Sequence, residues 1–269
     1  MDRADLTAAS LINPNVPSIA RVYDYVLGGA LNFQCDREAA REVLRILPGY
    51  RDFALANRAF LHRGVRAMLD LGIRQFLDLG SGLPTVAPVH EVAHRLDPEC
   101  RVVYVDNDPI AVAHSVLIVG DDRRLGVVES DMGDVGRVLS APDARRVLDL
   151  SRPVGVLMVG VLHFKFDSDD VVRIMNAYHR RMAAGSMLLA SHASGDALGP
   201  DVTAQAEKGF ADYGIRVLAR TREEFEALLG PWQLTDDGVV ETRKWRAESL
   251  AELNRSTSLG YAMMAAHGG

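Results

Sequence analysis

The sequence predicts an α/β protein, a doubly wound parallel sheet carrying a helical N-terminal extension. Three observations predict it. Residues 1 to 74 show helical periodicity and no clear strand. From Arg74 onward short apolar runs alternate with helical stretches, the pattern of a parallel sheet with crossover helices. Two of those runs close on an aspartate, in FLDLGSGLP at Phe76 to Pro84 and VVYVDNDP at Val102 to Pro109. In such a sheet the carboxyl ends of the strands are where ligands bind.

The elements follow in order. A proline-bearing opening runs to Pro17, and Ser18 is placed to cap a helix over Ile19 to Leu27 that Gly28-Gly29 stops. Asp36 to Leu47 sets Ala39, Ala40, Val43, Leu44 and Leu47 at helical spacing before Pro48-Gly49. Arg51 to Leu71 is a longer amphipathic helix with Phe53, Ala56, Phe60, Val65 and Leu69, closed by Gly72. Strands are expected at 75–79, 102–106, 126–129, 154–160 and 186–191. The helices between them fall at about 85–96, 109–119, 134–149 and 169–183. Beyond Asp196 come helices near 200–213 and 222–229, then late strands within 232–244 and 259–266. The ending YAMMAAHGG is weak for a last strand. Residues 1–74 thus read as a helical extension or lid and 75–269 as the sheet domain. The two form one unit, because the apolar faces of the extension need the sheet to cover them.

Composition excludes several classes. The 269 residues are 48% apolar and carry 36 acids against 30 lysines and arginines, a net charge of −6. Nucleic-acid binding draws on basic stripes, and here Arg123-Arg124, Arg145-Arg146 and Arg180-Arg181 are scattered among acids. No uninterrupted apolar run approaches the roughly 18 residues that span a bilayer. The start lacks a secretory pattern, and Cys35 and Cys100 have no metal or redox spacing. A cytoplasmic protein with reduced thiols is expected, without membrane or nucleic-acid partners; the sequence leaves the oligomeric state open.

The charge at the first glycine turn selects the cofactor. A dinucleotide brings a pyrophosphate to that turn, and Asp78 would repel it. The dinucleotide fingerprint also asks for a third glycine where Thr85 stands. S-adenosyl-L-methionine has no phosphate and carries an ammonium and a sulfonium, so a carboxylate two positions before Gly80 is favourable. The remaining alternatives are a dinucleotide site or glycines that only make a tight turn. Asp106, 28 residues after Asp78, strengthens the first reading.

This order of elements is similar to class I S-adenosylmethionine-dependent methyltransferases with a Rossmann-like sheet. The chain as a whole resembles a bacterial S-adenosyl methyltransferase family once listed as a domain of unknown function. The resemblance rests on PSIARVYDYVLGG at Pro17 to Gly29, Asn32-Phe33, Asp36-Arg37, ANRAFLHR at Ala56 to Arg63, FLDLGSGLPT, VHEVA at Val89 to Ala93, VVYVDNDP, and the stretch from Val159 to Phe164. It implies that Asp78, Gly80 and Gly82 form the first cofactor motif. Asp106, with Asn107 beside it, would accept the ribose hydroxyls, and Asp131 and Met132 would lie beside the adenine. Members of the family often carry a Lys-Asp pair where this chain has Ala30-Leu31.

Methyl transfer to a hydroxyl usually needs a base, and His163 and His192 follow the fourth and fifth predicted strands. Each is a candidate base; the alternatives are pocket lining or a structural hydrogen bond. Arg21, Tyr23, Tyr25 and Asn32 gather around the Gly-Gly turn as a lid or substrate wall, the alternative being an amphipathic helix packed on the sheet. Arg58 would hold the cofactor carboxylate or pair with Asp24 or Asp36, the ion pair being the preferred reading. Asp167, Asp169 and Asp170 read as a helix start rather than a metal loop, and His90 and His94 lack a third ligand. The expectation is a methyltransferase acting on a small molecule. Alternatives are a cofactor-binding sensor without methyl transfer and an NAD-dependent oxidoreductase.

Overall fold

The computed structural model describes residues 13–249, 253 and 259–268; the opening segment to residue 12 lies outside them. Three helices lead: α1 (Ile19–Leu27), α2 (Gln34–Ile46) and α3 (Tyr50–Asp70). The sheet follows as β1 (Gln75–Leu79), α4 (Val89–Leu96), β2 (Arg101–Asp106), α5 (Pro109–Val119), β3 (Leu125–Glu129), α6 (Val135–Ser140), α7 (Pro142–Val147), β4 (Gly155–Val159), α8 (Ser168–His179) and β5 (Met187–Ala193). The last part holds α9 (Pro200–Ala211), α10 (Arg222–Glu226), β6 (Gln233–Leu234), β7 (Val240–Glu241) and β8 (Gly260–Ala266).

Strand order is β3-β2-β1-β4-β5-β8-β6, with β7 also paired to β8. The first five strands are parallel, and β8 runs antiparallel between β5 and β6. Alternation in the strands divides the core. Leu77, Leu79, Val103, Val105, Val156, Met158 and Leu188 face α6, α7 and α8. Phe76, Val102, Tyr104, Leu157 and Leu189 face α3 and α4. Helix α3 sits so close that a Cβ on Gly64 would lie 2.2 Å from Leu189 Cδ2. A third cluster joins α1, α2 and the start of α3 to Phe210 of α9 and to Leu259.

Departures from the sequence expectations have local causes. Pro142, which lacks an N–H, divides the helix expected over 134–149 into α6 and α7. Helix α4 starts at Val89 rather than 85, after a loop containing Pro84 and Pro88. The stretch 232–244 holds two short strands, with Gly238 at positive φ between them. YAMMAAHGG, weak by composition, supplies most of the inner strand β8; Gly260 just before it has no room for a side chain, because a Cβ there would meet Phe53 Cε2 at 2.2 Å.

Candidate functional site

The strand order reverses between β1 and β4, and a cavity of about 620 Å³ opens there at the carboxyl ends of the strands. Asp78, Gly80, Gly82, Asp106, Asn107, Asp131, Met132, Arg58, Tyr23, Arg21 and His163 all line it. Tyr25, Asn32 and His192 do not.

The glycine turn is held by backbone. Gly80 and Ser81 donate their N–H groups to Val105 O at 2.8 and 3.1 Å. Gly82 donates to Asp106 Oδ2 at 2.7 Å, and Asp108 N–H reaches Asp106 Oδ1 at 2.9 Å. Asp106 therefore ties the first and second loops together while lining the cavity. Its burial raises the carboxyl pKa against these bonds. Gly80 and Gly82 both have φ near the left-handed region, +70° and +63°. A Cβ on Gly80 would strike Val161 Cγ2 at 2.3 Å, whereas one on Gly82 meets nothing within 4 Å. The Gly82 backbone is thus open to a ligand.

Asp78 lies on the α3 side of β1, and burial pushes its carboxyl up to about 7, with Arg58 opposing and Asp106 adding to the rise. Its side chain makes no hydrogen bond among the described residues. Arg58 likewise has no ion-pair partner there, which overturns the preferred pairing with Asp24 or Asp36. Asp36 is taken by Arg21 at 2.6 Å. Asp24 is taken by Leu31 N and Asn32 Nδ2, both at 2.9 Å, and by Thr85 Oγ1 at 2.5 Å. Among the described residues the cleft therefore presents Arg58 and Asp78 as an unspent cation and an unspent carboxylate on its walls.

Several lid candidates are engaged in the protein's own contacts. Arg21 is buried, donates to Asp36 and to Val16 O at 2.5 Å, and lies 4.9 Å from the Phe33 ring. Asn32 binds Asp24 and Gly29 O, and accepts from Arg37 at 3.1 Å, so it builds the Gly-Gly turn. Tyr25 packs in the helical cluster beneath Arg41, outside the cavity. Tyr23 stays in the wall, its hydroxyl donating to Ala54 O at 3.1 Å. Ser18 begins α1 without capping it; its hydroxyl donates instead to Asp108, which itself caps α5. Where family members carry a Lys-Asp pair, Leu31 packs beside Leu83 and Ile110.

The histidines separate. His192 is fully buried, with Nδ1 2.9 Å from Ala193 O and Nε2 2.8 Å from Arg220 Nη1. A guanidinium can only donate, so Nε2 is the acceptor and its lone pair is spent. Burial lowers this imidazole to about 4. His192 lines neither cavity and its Nε2 is occupied by Arg220, which argues against the expectation of a base there. His163 lines the cavity, and neither of its ring nitrogens has a hydrogen-bond partner among the described residues. Burial, then His192 and Arg220, push it down to about 3.

Sequence reasoning missed Lys165, Tyr50 and Arg220. Lys165 Nζ holds Asp131 at 2.6 Å. Burial would raise the Asp131 carboxyl, but Lys165 and the Gly133 N–H outweigh it and hold it low. Lys165 stands 34 residues from Asp131, and nothing in the local sequence links them. Arg220 is buried without a carboxylate partner among the described residues, donating to His192 and to Lys165 O at 2.9 Å. Asp167, by contrast, caps α8 as its position suggests, accepting from Asp169 and Asp170.

This sheet, with its antiparallel inner strand and acid-tipped loops at the switch point, has the fold of the class I methyltransferases. The chain belongs to the S-adenosyl methyltransferase family, which it matches over residues 5–268, and S-adenosyl-L-methionine is its cofactor. It is similar to a protein from Thermobifida fusca YX described as a candidate methyltransferase, with 38% identity, a TM-score of 0.87, and coverage of 94% of this chain and 95% of that one. It is also similar to a DUF574 family protein from Streptomyces avermitilis MA-4680, with 33% identity, a TM-score of 0.87, and coverage of 93% and 97%. Human N-acetylserotonin methyltransferase, whose structure contains S-adenosylmethionine, shares the fold at 14% identity and a TM-score of 0.50, with coverage of 99% and 67%. No curated protein matched the sequence.

The residues present fit the cofactor. The cavity falls within the roughly 300–1,000 Å³ of small-molecule sites. Its unpartnered Arg58 and Asp78 suit a zwitterionic amino-acid group, and the open face at Gly82 leaves room beside the backbone.

Proposed function

We propose that this chain transfers a methyl group from S-adenosyl-L-methionine to a small-molecule acceptor. The observation that carries the reading is the pair of unspent opposite charges, Arg58 and Asp78, facing one cavity at the switch point. Arg58 would hold the cofactor carboxylate with its planar fork, and Asp78 would face the ammonium. Asp106 has lone pairs left for the ribose hydroxyls, with Asn107 exposed beside it. Asp131, fixed by Lys165, and the buried Met132 would flank the adenine.

When bound, the cofactor supplies an activated methyl group on sulfur. The chain's part is to exclude water and to orient the acceptor. His163 is the remaining candidate for accepting a hydrogen bond from an acceptor hydroxyl; pushed down to about 3, it is a poor base for removing the proton. His192 is a positioning residue, its Nε2 held by Arg220 and its ring set against that of His163. Five aspartates, Asp24, Asp78, Asp106, Asp108 and Asp131, line the cleft against four cations, Arg21, Arg58, Lys165 and Arg216, so it presents no basic stripe. With a net charge of −6 on the whole chain, this disfavours a nucleic-acid acceptor and favours a small one.

Calorimetric titration of the purified chain with S-adenosylmethionine, S-adenosylhomocysteine and NAD tests this. Binding of the first two is expected, with Arg58→Ala and Asp106→Ala each weakening it roughly ten- to a hundredfold, the worth of a charge-assisted hydrogen bond. Ligand-free folded protein that binds neither would sink the proposal.

A further inference from the structure

Beside the cleft lies a second cavity of about 60 Å³. Ile19, Tyr50, Phe53, His163 and Phe164 line both spaces, so the two share one threshold. A void of ~10–15 Å³ admits one water, so this chamber admits roughly four to six heavy atoms. That is the size of one ring.

The walls are built for an apolar guest. Leu47, Val217 and Leu259 contribute aliphatic surface. Tyr50 lies 5.9 Å from Phe53 and edge-on at 5.6 Å from Phe210, an arrangement that favours aromatic contacts. The polar groups in the walls are largely engaged. Ser194 donates its hydroxyl to Asp196 at 2.9 Å, and Thr203 donates to Gly199 O at 2.9 Å. Glu207 Oε1 accepts the Ala219 N–H at 2.8 Å. At the threshold the reverse holds: neither the Tyr50 hydroxyl nor the His163 ring makes a hydrogen bond among the described residues. His163 Nδ1 is buried, which leaves Nε2 as the nitrogen available to a guest.

We infer that this chamber holds the body of the acceptor, and that the acceptor is an uncharged aromatic ring bearing one hydroxyl group, placed at the threshold between His163 and Tyr50. Arg220 and His192 stand behind His163 and help keep its imidazole neutral. The threshold therefore suits a neutral O–H donor and disfavours an ammonium. The identification of this ring as a methyl acceptor rests on the methyltransferase reading; the binding of the ring does not.

The test is a ligand-observed NMR titration of the full chain with phenol, benzene and benzylamine, with S-adenosylhomocysteine calorimetry alongside. Phenol is expected to bind roughly three- to tenfold more tightly than benzene, the worth of one neutral hydrogen bond, and His163→Leu should erase that margin. Ala206→Phe fills the chamber from α9 without lining the cleft. It should abolish phenol binding and leave S-adenosylhomocysteine affinity unchanged; Val217→Phe serves the same purpose if the first variant does not fold. The inference falls if phenol binding survives the filling variant. It also falls if benzylamine binds better than phenol, which would make Glu207 the recognising group. A wild-type chain that binds S-adenosylhomocysteine but not phenol loses the chamber and keeps the methyltransferase reading. The converse result keeps the chamber and removes that reading.

Discussion

Asp78 shows how a residue proposed to bind the cofactor can work against the stability of the protein that carries it. Its carboxyl is pushed up to about 7 by burial, with Arg58 offsetting part of the cost. The folded chain thus holds a proton that the unfolded chain, with the ordinary value of 3.8, releases earlier. Where the folded state binds more protons, stability falls as pH rises. The loss starts near pH 4 and is complete above about pH 7. At ~1.4 kcal/mol per pKa unit it reaches as much as ~4 kcal/mol. Asp78→Asn should therefore stabilise the cofactor-free chain at pH 8, by ~1–3 kcal/mol after relaxation, and have almost no effect near pH 4. The same variant should weaken S-adenosylmethionine binding, because the cation then meets a neutral amide. Denaturant melts at both pH values read the first effect and calorimetry the second. Equal melts for the two chains at pH 8 would show that Asp78 is hydrated rather than strained.

At the scale of elements, the loop after β1 depends on two glycines with similar backbone angles and different surroundings. An L-residue in the left-handed region costs ~1–2 kcal/mol, so Gly80→Ala and Gly82→Ala share that cost. Gly80→Ala also drives a methyl into Val161, and overpacking adds ~1–3 kcal/mol. The expected ranking in chemical denaturation is Gly80→Ala well below Gly82→Ala, with the Gly82 variant losing cofactor affinity more than stability. Reversal of that order would mean that Val161 yields freely. Positions such as these were legible in the sequence, because parallel strands buried on both faces read as unbroken apolar runs closing on Asp78 and Asp106. The carboxylate tips and glycines followed from that. What was not legible depends on contacts between distant segments. The Arg21–Asp36 pair consumes the partner that Arg58 seemed to want, and the Arg220–His192 bond removes a base that strand position alone suggested. The start of β8 was not legible for the same reason: Gly260 answers to Phe53, more than 200 positions away, a constraint that β-propensity does not register.

The helical extension and the sheet share their apolar surfaces, which bears on the whole molecule. Phe60, Val65 and Met68 of α3 cover the sheet face formed by Phe76, Leu157, Leu189 and Met264. The start of α3 joins α1 and α2 to Phe210 and Leu259 in the cluster that walls the second cavity. Two further ties cross the mouth of the cleft, from Ser18 to Asp108 and from Asp24 to Thr85. We therefore propose that residues 1–74 complete the site rather than form a detachable domain. A chain beginning at residue 75 would bare a continuous apolar face, and burying a large side chain is worth ~1.5–3 kcal/mol. Losing several such contacts exceeds the ~5–15 kcal/mol net stability of a typical domain. The shortened chain should be recovered insoluble, or soluble without a cooperative thermal transition, and should not bind S-adenosylhomocysteine. A soluble, cooperatively melting fragment that binds this ligand with full affinity would make the extension a true lid, and the cofactor site a property of the sheet alone.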